Sequence, residues 1–271
     1  MSGRVCFVGA AVLLVCASSA WSVKCRWTDR GADHLWDDPG NWEDGIVPGS
    51  GDYWLSTPYY ARRADWSLYK MVIQDGIDAV CGQAKNMNQL LLTITGGSLT
   101  VENEWKLGQD NGVGVEIEMS GGAVDVGGYM DLGGWSGEHS VGTLNISDGF
   151  FSVAGPLKMG TWDTTESHLN ISGGVVSAGS LAIGPGPSSI DISGGRLTLA
   201  NNVTSQIAWH AGRGTITAFG GDGEIVYDYD VTTPGRTTVM AVPEPSGVLY
   251  VIAGWFVARR RRQHRRAIDG G

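Results

Sequence analysis

The sequence predicts an all-β fold, a single-stranded right-handed parallel β-helix (β-solenoid) of about five to seven coils, and three observations predict it. Glycine fills 42 of 271 positions while only 17% of residues are charged. A short alternating pattern closed by a glycine turn recurs five times through the middle of the chain. Further alternating pairs follow within each copy, so one repeat holds up to three short strands.

This composition excludes a coiled coil or helical bundle, and glycine without a strict third-residue period, beside only 9 Pro, excludes collagen. Eleven Trp and abundant Val, Ile and Leu argue against disorder.

Residues 1–20 read as a secretory signal. Arg4 gives a positive start, residues 5–15 an apolar core too short to span a bilayer, and Ala17-Ser18-Ser19-Ala20 the small residues of a cleavage site. A lipidated Cys16 is the alternative, disfavoured by the bulky Val15 before it. Cleavage after Ala20 removes Cys6 and Cys16 and leaves Cys25 and Cys81. Export to an oxidising compartment allows a disulfide between these two. Two free thiols are the alternative, and their spacing does not decide between them.

Residues 21–66 form a Trp-rich N-terminal cap segment that includes Trp36-Asp37-Asp38-Pro39-Gly40-Asn41-Trp42. It resembles the Trp/Asn-Trp segment found before autotransporter-like β-helix repeats in exported bacterial proteins. The resemblance implies a cover for the first coil, whose open edge would otherwise present unpaired backbone groups.

Residues 67–240 are assigned to the repeats. Leu92-Thr-Ile94-Thr-Gly96-Gly97 returns around Met119, Ile146, Ile171 and Ile192, at steps of 25, 27, 25 and 21 residues. Three short strands cannot bury one face alone, but stacked coils can. A propeller would need longer repeats with four strands. Stacking predicts outward ladders: Thr95, Ser120, Ser147, Ser172 and Ser193; Thr93, Glu118, Asn145, Asn170 and Asp191; and the sign-alternating Lys106, Asp131 and Lys158. Asn145 and Asn170 also begin glycosylation sequons, but inside predicted strands they read as ladder residues. Met71 to Gly76 reads as a degenerate earlier coil, and the stretch from Ile207 to Met240 as final strands.

Candidate chemistry sits in the variable segments between coils. Trp135 and Trp162 each lie two residues past a closing glycine, so they are the candidates for glycan contact, or else they cover the core. Asp163 and Glu166 offer an acid/base pair, and His139 and His168 with Glu138 or Glu166 offer metal ligands; solvated loop residues are the plainer reading of each. Gly220 to Glu224 reads as an ordinary turn. No Ser-His-Asp motif, phosphate loop or zinc spacing occurs, so no catalytic residue, metal or cofactor is expected.

Residues 241–271 close the chain with Pro243-Glu244-Pro245, an apolar run at 247–258, and Arg259, Arg260, Arg261 and Arg262. This order resembles the PEP-CTERM sorting signal. The resemblance implies a Gram-negative bacterial protein, exported and recognised by an exosortase-type enzyme, with transient membrane anchoring through the apolar helix and the arginines as its basic stop. Between Trp21 and Val242 stand 12 Lys and Arg against 26 Asp and Glu, a net charge of −14, so nucleic acid is an unfavourable partner. The expectation is a non-enzymatic structural protein of the cell surface or extracellular matrix. Its alternatives are a module binding neutral exopolysaccharide and, behind that, a polysaccharide lyase or hydrolase.

Overall fold

The computed structural model describes residues 22–31, 33–56, 68–86, 89–108, 114–134 and 139–244. The expected signal, Trp135, Glu138, Pro245 and the basic stop lie outside them.

The chain winds into three parallel sheets that run the length of a solenoid of about seven turns. β1 (Lys24–Trp27) and β2 (Tyr53–Ser56) start the third sheet. β3 (Tyr69–Ile73), β4 (Asp78–Cys81) and β5 (Gln83–Asn86) then place one strand on each sheet, and β6 (Leu90–Ile94), β7 (Ser98–Val101) and β8 (Trp105–Leu107) repeat the circuit. β9 (Gly114–Val126) and β10 (Met130–Leu132) form the next coil, and β11 (Val141–Met159) forms a whole coil by itself. β12 (Glu166–Ile171), β13 (Val175–Ile183), β14 (Ser188–Ile192) and β15 (Arg196–Ala200) continue the stack, and β16 (Ile216–Ala218) is the last rung of the first sheet. The degenerate early coil is therefore a full coil. The third sheet begins inside the Trp-rich segment expected to be only a cap.

The predicted column is present. Ile94, Met119, Ile146, Ile171 and Ile192 pair in parallel register and each is at most 2% exposed. The glycine turn that follows them is required by backbone conformation. Gly97, Gly122, Gly149, Gly174 and Gly195 all have positive φ, and a Cβ on Gly122 would lie 2.6 Å from the Gly96 carbonyl oxygen.

Aromatic rings close the N-terminal end. Trp27 meets Trp42 edge-on at 5.1 Å, Trp42 meets Trp36 at 5.0 Å, and Trp36 meets Trp54 at 4.9 Å. The series runs on through Trp105 to Phe151 inside the coils. Fully buried Asn41 orders this cap: its amide donates to Asp33 and to the Leu35 carbonyl, and its own oxygen accepts from the Gly31 amide. Trp36 and His34 then pair with Val72, covering the first edge of the first sheet.

The C-terminal end differs from the expected run of strands, because α1 (Thr204–Gly212) stands where the third sheet would continue. Ile207 is fully buried, Gln206 donates to the Leu181 carbonyl at 2.9 Å, and Asn202 accepts from Thr204 at the helix start. A hairpin of β17 (Gly223–Tyr229) and β18 (Arg236–Pro243) pairs antiparallel with β15 and ends the second sheet. Strand pairing thus extends to Pro243, past the expected repeat boundary at residue 240.

Cys25 and Cys81 are both buried free thiols, so of the two alternatives the unbridged one is present. They point inward from different sheets, Cys25 on β1 of the third and Cys81 on β4 of the second. Burial first, then the charge of Asp52 for Cys25 and of Glu102 for Cys81, pushes them up to about 11 and about 12. Both therefore stay protonated and unreactive at neutral pH.

Candidate ligand-binding face

The outer face of the first sheet carries the polar ladders. Thr93, Glu118, Asn145, Asn170, Asp191 and Thr217 stand in one register row on successive rungs. Asn170 donates to the Asn145 side-chain oxygen at 2.8 Å, Asn145 donates to Glu116 at 2.9 Å, and Thr217 donates to Asp191 at 2.8 Å. In the neighbouring row the Ser147 hydroxyl donates to the Met119 carbonyl and the Ser172 hydroxyl to the Ile146 carbonyl. The ladder residues therefore bond from coil to coil, as the repeat predicted.

One irregularity shapes this face. The pairing of β9 with β11 shifts register between Ile146 and Asp148, leaving Ser147 as a bulge, and shifts back between Asp148 and Phe150. Around it lies an open hollow of about 440 Å³ lined by Thr93, Glu118, Ser120, Asn145, Ser147, Asn170 and Ser172 with the edges of Met119 and Ile146. Its amides and hydroxyls offer donors and acceptors side by side, and Glu118 adds an exposed carboxylate acceptor. Such a surface suits a ligand rich in hydroxyl groups.

At one side of this face, His168 bonds Glu166 through one ring nitrogen at 2.8 Å and Ser189 through the other at 2.7 Å. His168 and Glu166 are therefore neighbours, while His139 stands exposed on an earlier coil. Asp163 is exposed in the turn before them. Among the described residues no three His, Cys, Asp or Glu side chains gather as metal ligands. Gly220 and Gly221 belong to the short turn leading into β17.

Trp162 is 43% exposed, which overturns the alternative that it covers the core. Thr165 closes its turn, its hydroxyl donating to the Trp162 carbonyl at 3.0 Å and accepting from the Trp162 amide at 3.2 Å. The indole is thus held outside the body just before β12 enters the first sheet. Its expected companion Trp135 lies outside the described residues.

The third sheet carries a second ionisable group that sequence reading only half found. Lys106, Asp131 and Lys158 stack in register as predicted, but Lys106 and Asp131 are buried. Glu104 and Tyr129, one residue before their strands, complete the group. Lys106 meets Glu104 at 3.0 Å, the Tyr129 hydroxyl donates to Glu104 at 2.5 Å, and the Lys158 ammonium sits 4.1 Å from the Tyr129 ring centre. Burial raises Asp131, partly opposed by its bond from Thr161 and by the lysine charges. Burial and the Glu104 bond raise Tyr129, which stays a donor. With charges compensated within the group, it fastens adjacent coils. The signal for it was the shared offset of Glu104 and Tyr129 immediately before Trp105 and Met130.

Comparison with protein-family models, with curated proteins and with solved structures finds no match to this chain.

Proposed function

We propose that this chain is an exported, non-catalytic β-solenoid of the cell surface or extracellular matrix, wound right-handed, whose first sheet holds a neutral exopolysaccharide weakly on its outer face. The carrying observation is the hollow around Ser147, where the Asn145 and Asn170 amides and the Ser120, Ser147 and Ser172 hydroxyls face outward together. Sugar hydroxyls can donate to and accept from such groups, and the exposed Trp162 indole near the start of β12 offers a flat apolar surface for a ring.

The body's net charge of −14 favours a neutral polymer over an acidic one. Export and sorting rest on the resemblance of residues 1–20 to a secretory signal and of Pro243-Glu244-Pro245, the apolar run and the arginines to a PEP-CTERM tail handled by an exosortase-type enzyme. Among the described residues no helix is long and apolar enough to cross a membrane. The proposed transient anchor is the run at 247–258.

Co-sedimentation with insoluble neutral and acidic polysaccharides tests the reading. Pelleting with the neutral polymer, lost in an Asn145→Ala/Asn170→Ala variant that is still fully folded at the assay temperature, is the expected result. Equal pelleting of the variant would remove the first-sheet face from the account.

A further inference from the structure

At the C-terminal end of the solenoid the first sheet stops at an open edge. β16 pairs with β14 on one side, and among the described strands none pairs with its other side. Beside that edge lies a cleft of about 770 Å³. Ile216 and Ala218 line its floor, Ala208 and Ala211 of α1 one wall, and Ile225 and Tyr227 of β17 another. Thr217 and Glu224 add polar groups to this lining, and an unpaired strand edge at the floor of such a cleft is a template for one more strand.

Val242, Pro243 and Glu244, the last described residues, form part of the same rim. The chain continues for 27 residues from that point, beginning with Pro245-Ser246-Gly247 and then Val248-Leu249-Tyr250-Val251-Ile252. Five successive β-branched, aromatic or leucine residues have strong strand propensity. A run that is apolar at every position, without alternation, suits a strand covered on both faces. The three connecting residues span up to about 10 Å, enough to turn back across the rim. Tethering at the mouth of the cleft gives this segment an effective concentration on the order of millimolar, which a free partner must exceed.

We infer that the cleft is the docking site of the chain's own tail: Val248–Ile252 adds to the edge of β16 as a further rung of the first sheet. Docking shelters the apolar run from water until a membrane or a sorting enzyme draws it out. This goes beyond the proposed glycan contact and does not depend on it.

Hydrogen exchange on the full chain in detergent-free buffer tests the inference. The peptide covering Ile216–Ala218 should exchange at least tenfold more slowly in the wild type than in a Leu249→Asp/Val251→Asp variant, which leaves the body untouched. Chymotrypsin should also cut after Tyr250 at least tenfold faster once Ala208→Trp fills the cleft, and unchanged protection elsewhere in that variant establishes that its body is folded. Equal exchange in wild type and tail variant would overturn the inference. So would protection that appears only with dimerisation in the ultracentrifuge, because a second copy would then be the occupant.

Discussion

Asn170 donates its side-chain amide to the side-chain oxygen of Asn145, one coil earlier, at 2.8 Å, and Asn145 passes the chain on to Glu116 at 2.9 Å. The pair therefore both ties coils together and orients the groups that face the hollow. Because both side chains are partly solvated, Asn145→Ala and Asn170→Ala should each cost only about 1 kcal/mol. The double variant should cost less than their sum, since the shared bond is lost once. Thermal denaturation of the four proteins of this cycle measures it.

Ile146 lies in the inward column between Met119 and Ile171 and is 1% exposed. Ile146→Asp would put an unpaired carboxylate inside stacked coils and should destabilise by roughly 3 kcal/mol or more. An unchanged denaturation midpoint would contradict that burial.

The columns were legible because period-two alternation and glycine turns act locally and then repeat, so Ile94, Met119, Ile146, Ile171 and Ile192 could be aligned without coordinates. The outward Asn ladder followed from the same register, whereas the predicted Ser row breaks at Ser147, because Ser120 pairs with Asp148. The ends were not legible in this way, because no neighbouring copy supplies a register there. Ile207 was placed in a strand, although Ile207 and His210 carry the three-residue spacing of a helix face and are both buried in α1. The hollow at Ser147 depends on a bulge that is compensated by Phe150, so the 27-residue offset is the same on both sides of it and the spacing carries no trace of it. Glu104 and Tyr129 were overlooked because they precede strands and do not alternate within them.

His210 is buried in α1, and burial first, then the Arg213 charge, holds it below the ordinary histidine range. A depressed folded value means that the unfolded chain takes up the proton first. His210 therefore costs no stability above about pH 6.5, and an increasing amount as pH falls from there toward the folded value. In urea titrations at pH 7.5 and 5.0, His210→Gln should show a smaller loss of midpoint on acidification than the wild type. Equal losses would show that His210 does not contribute.

Val242 pairs with Glu224 and Pro243 with Gly223 at the end of the hairpin, all three residues 242–244 are exposed, and Glu244 lies just past the last paired residue with its amide on the Asp222 carbonyl. A sorting enzyme needs an extended segment, so its cut should fall after Glu244, a little later than a break at Val242. The intact mass of protein recovered from a host that carries such an enzyme should match a C-terminus between Glu244 and Arg259. A recovered chain still ending in Gly271 would contradict the sorting proposal.

The most direct measurement follows the side-chain amide NMR signals of Asn145 and Asn170, assigned through their alanine variants, while a neutral exopolysaccharide is added. Saturable shifts of these two signals, much smaller shifts with an acidic polymer, and no new reducing or unsaturated sugar ends are expected. Signals that stay unmoved while the polymer binds elsewhere, or the appearance of such ends, would contradict the proposed function.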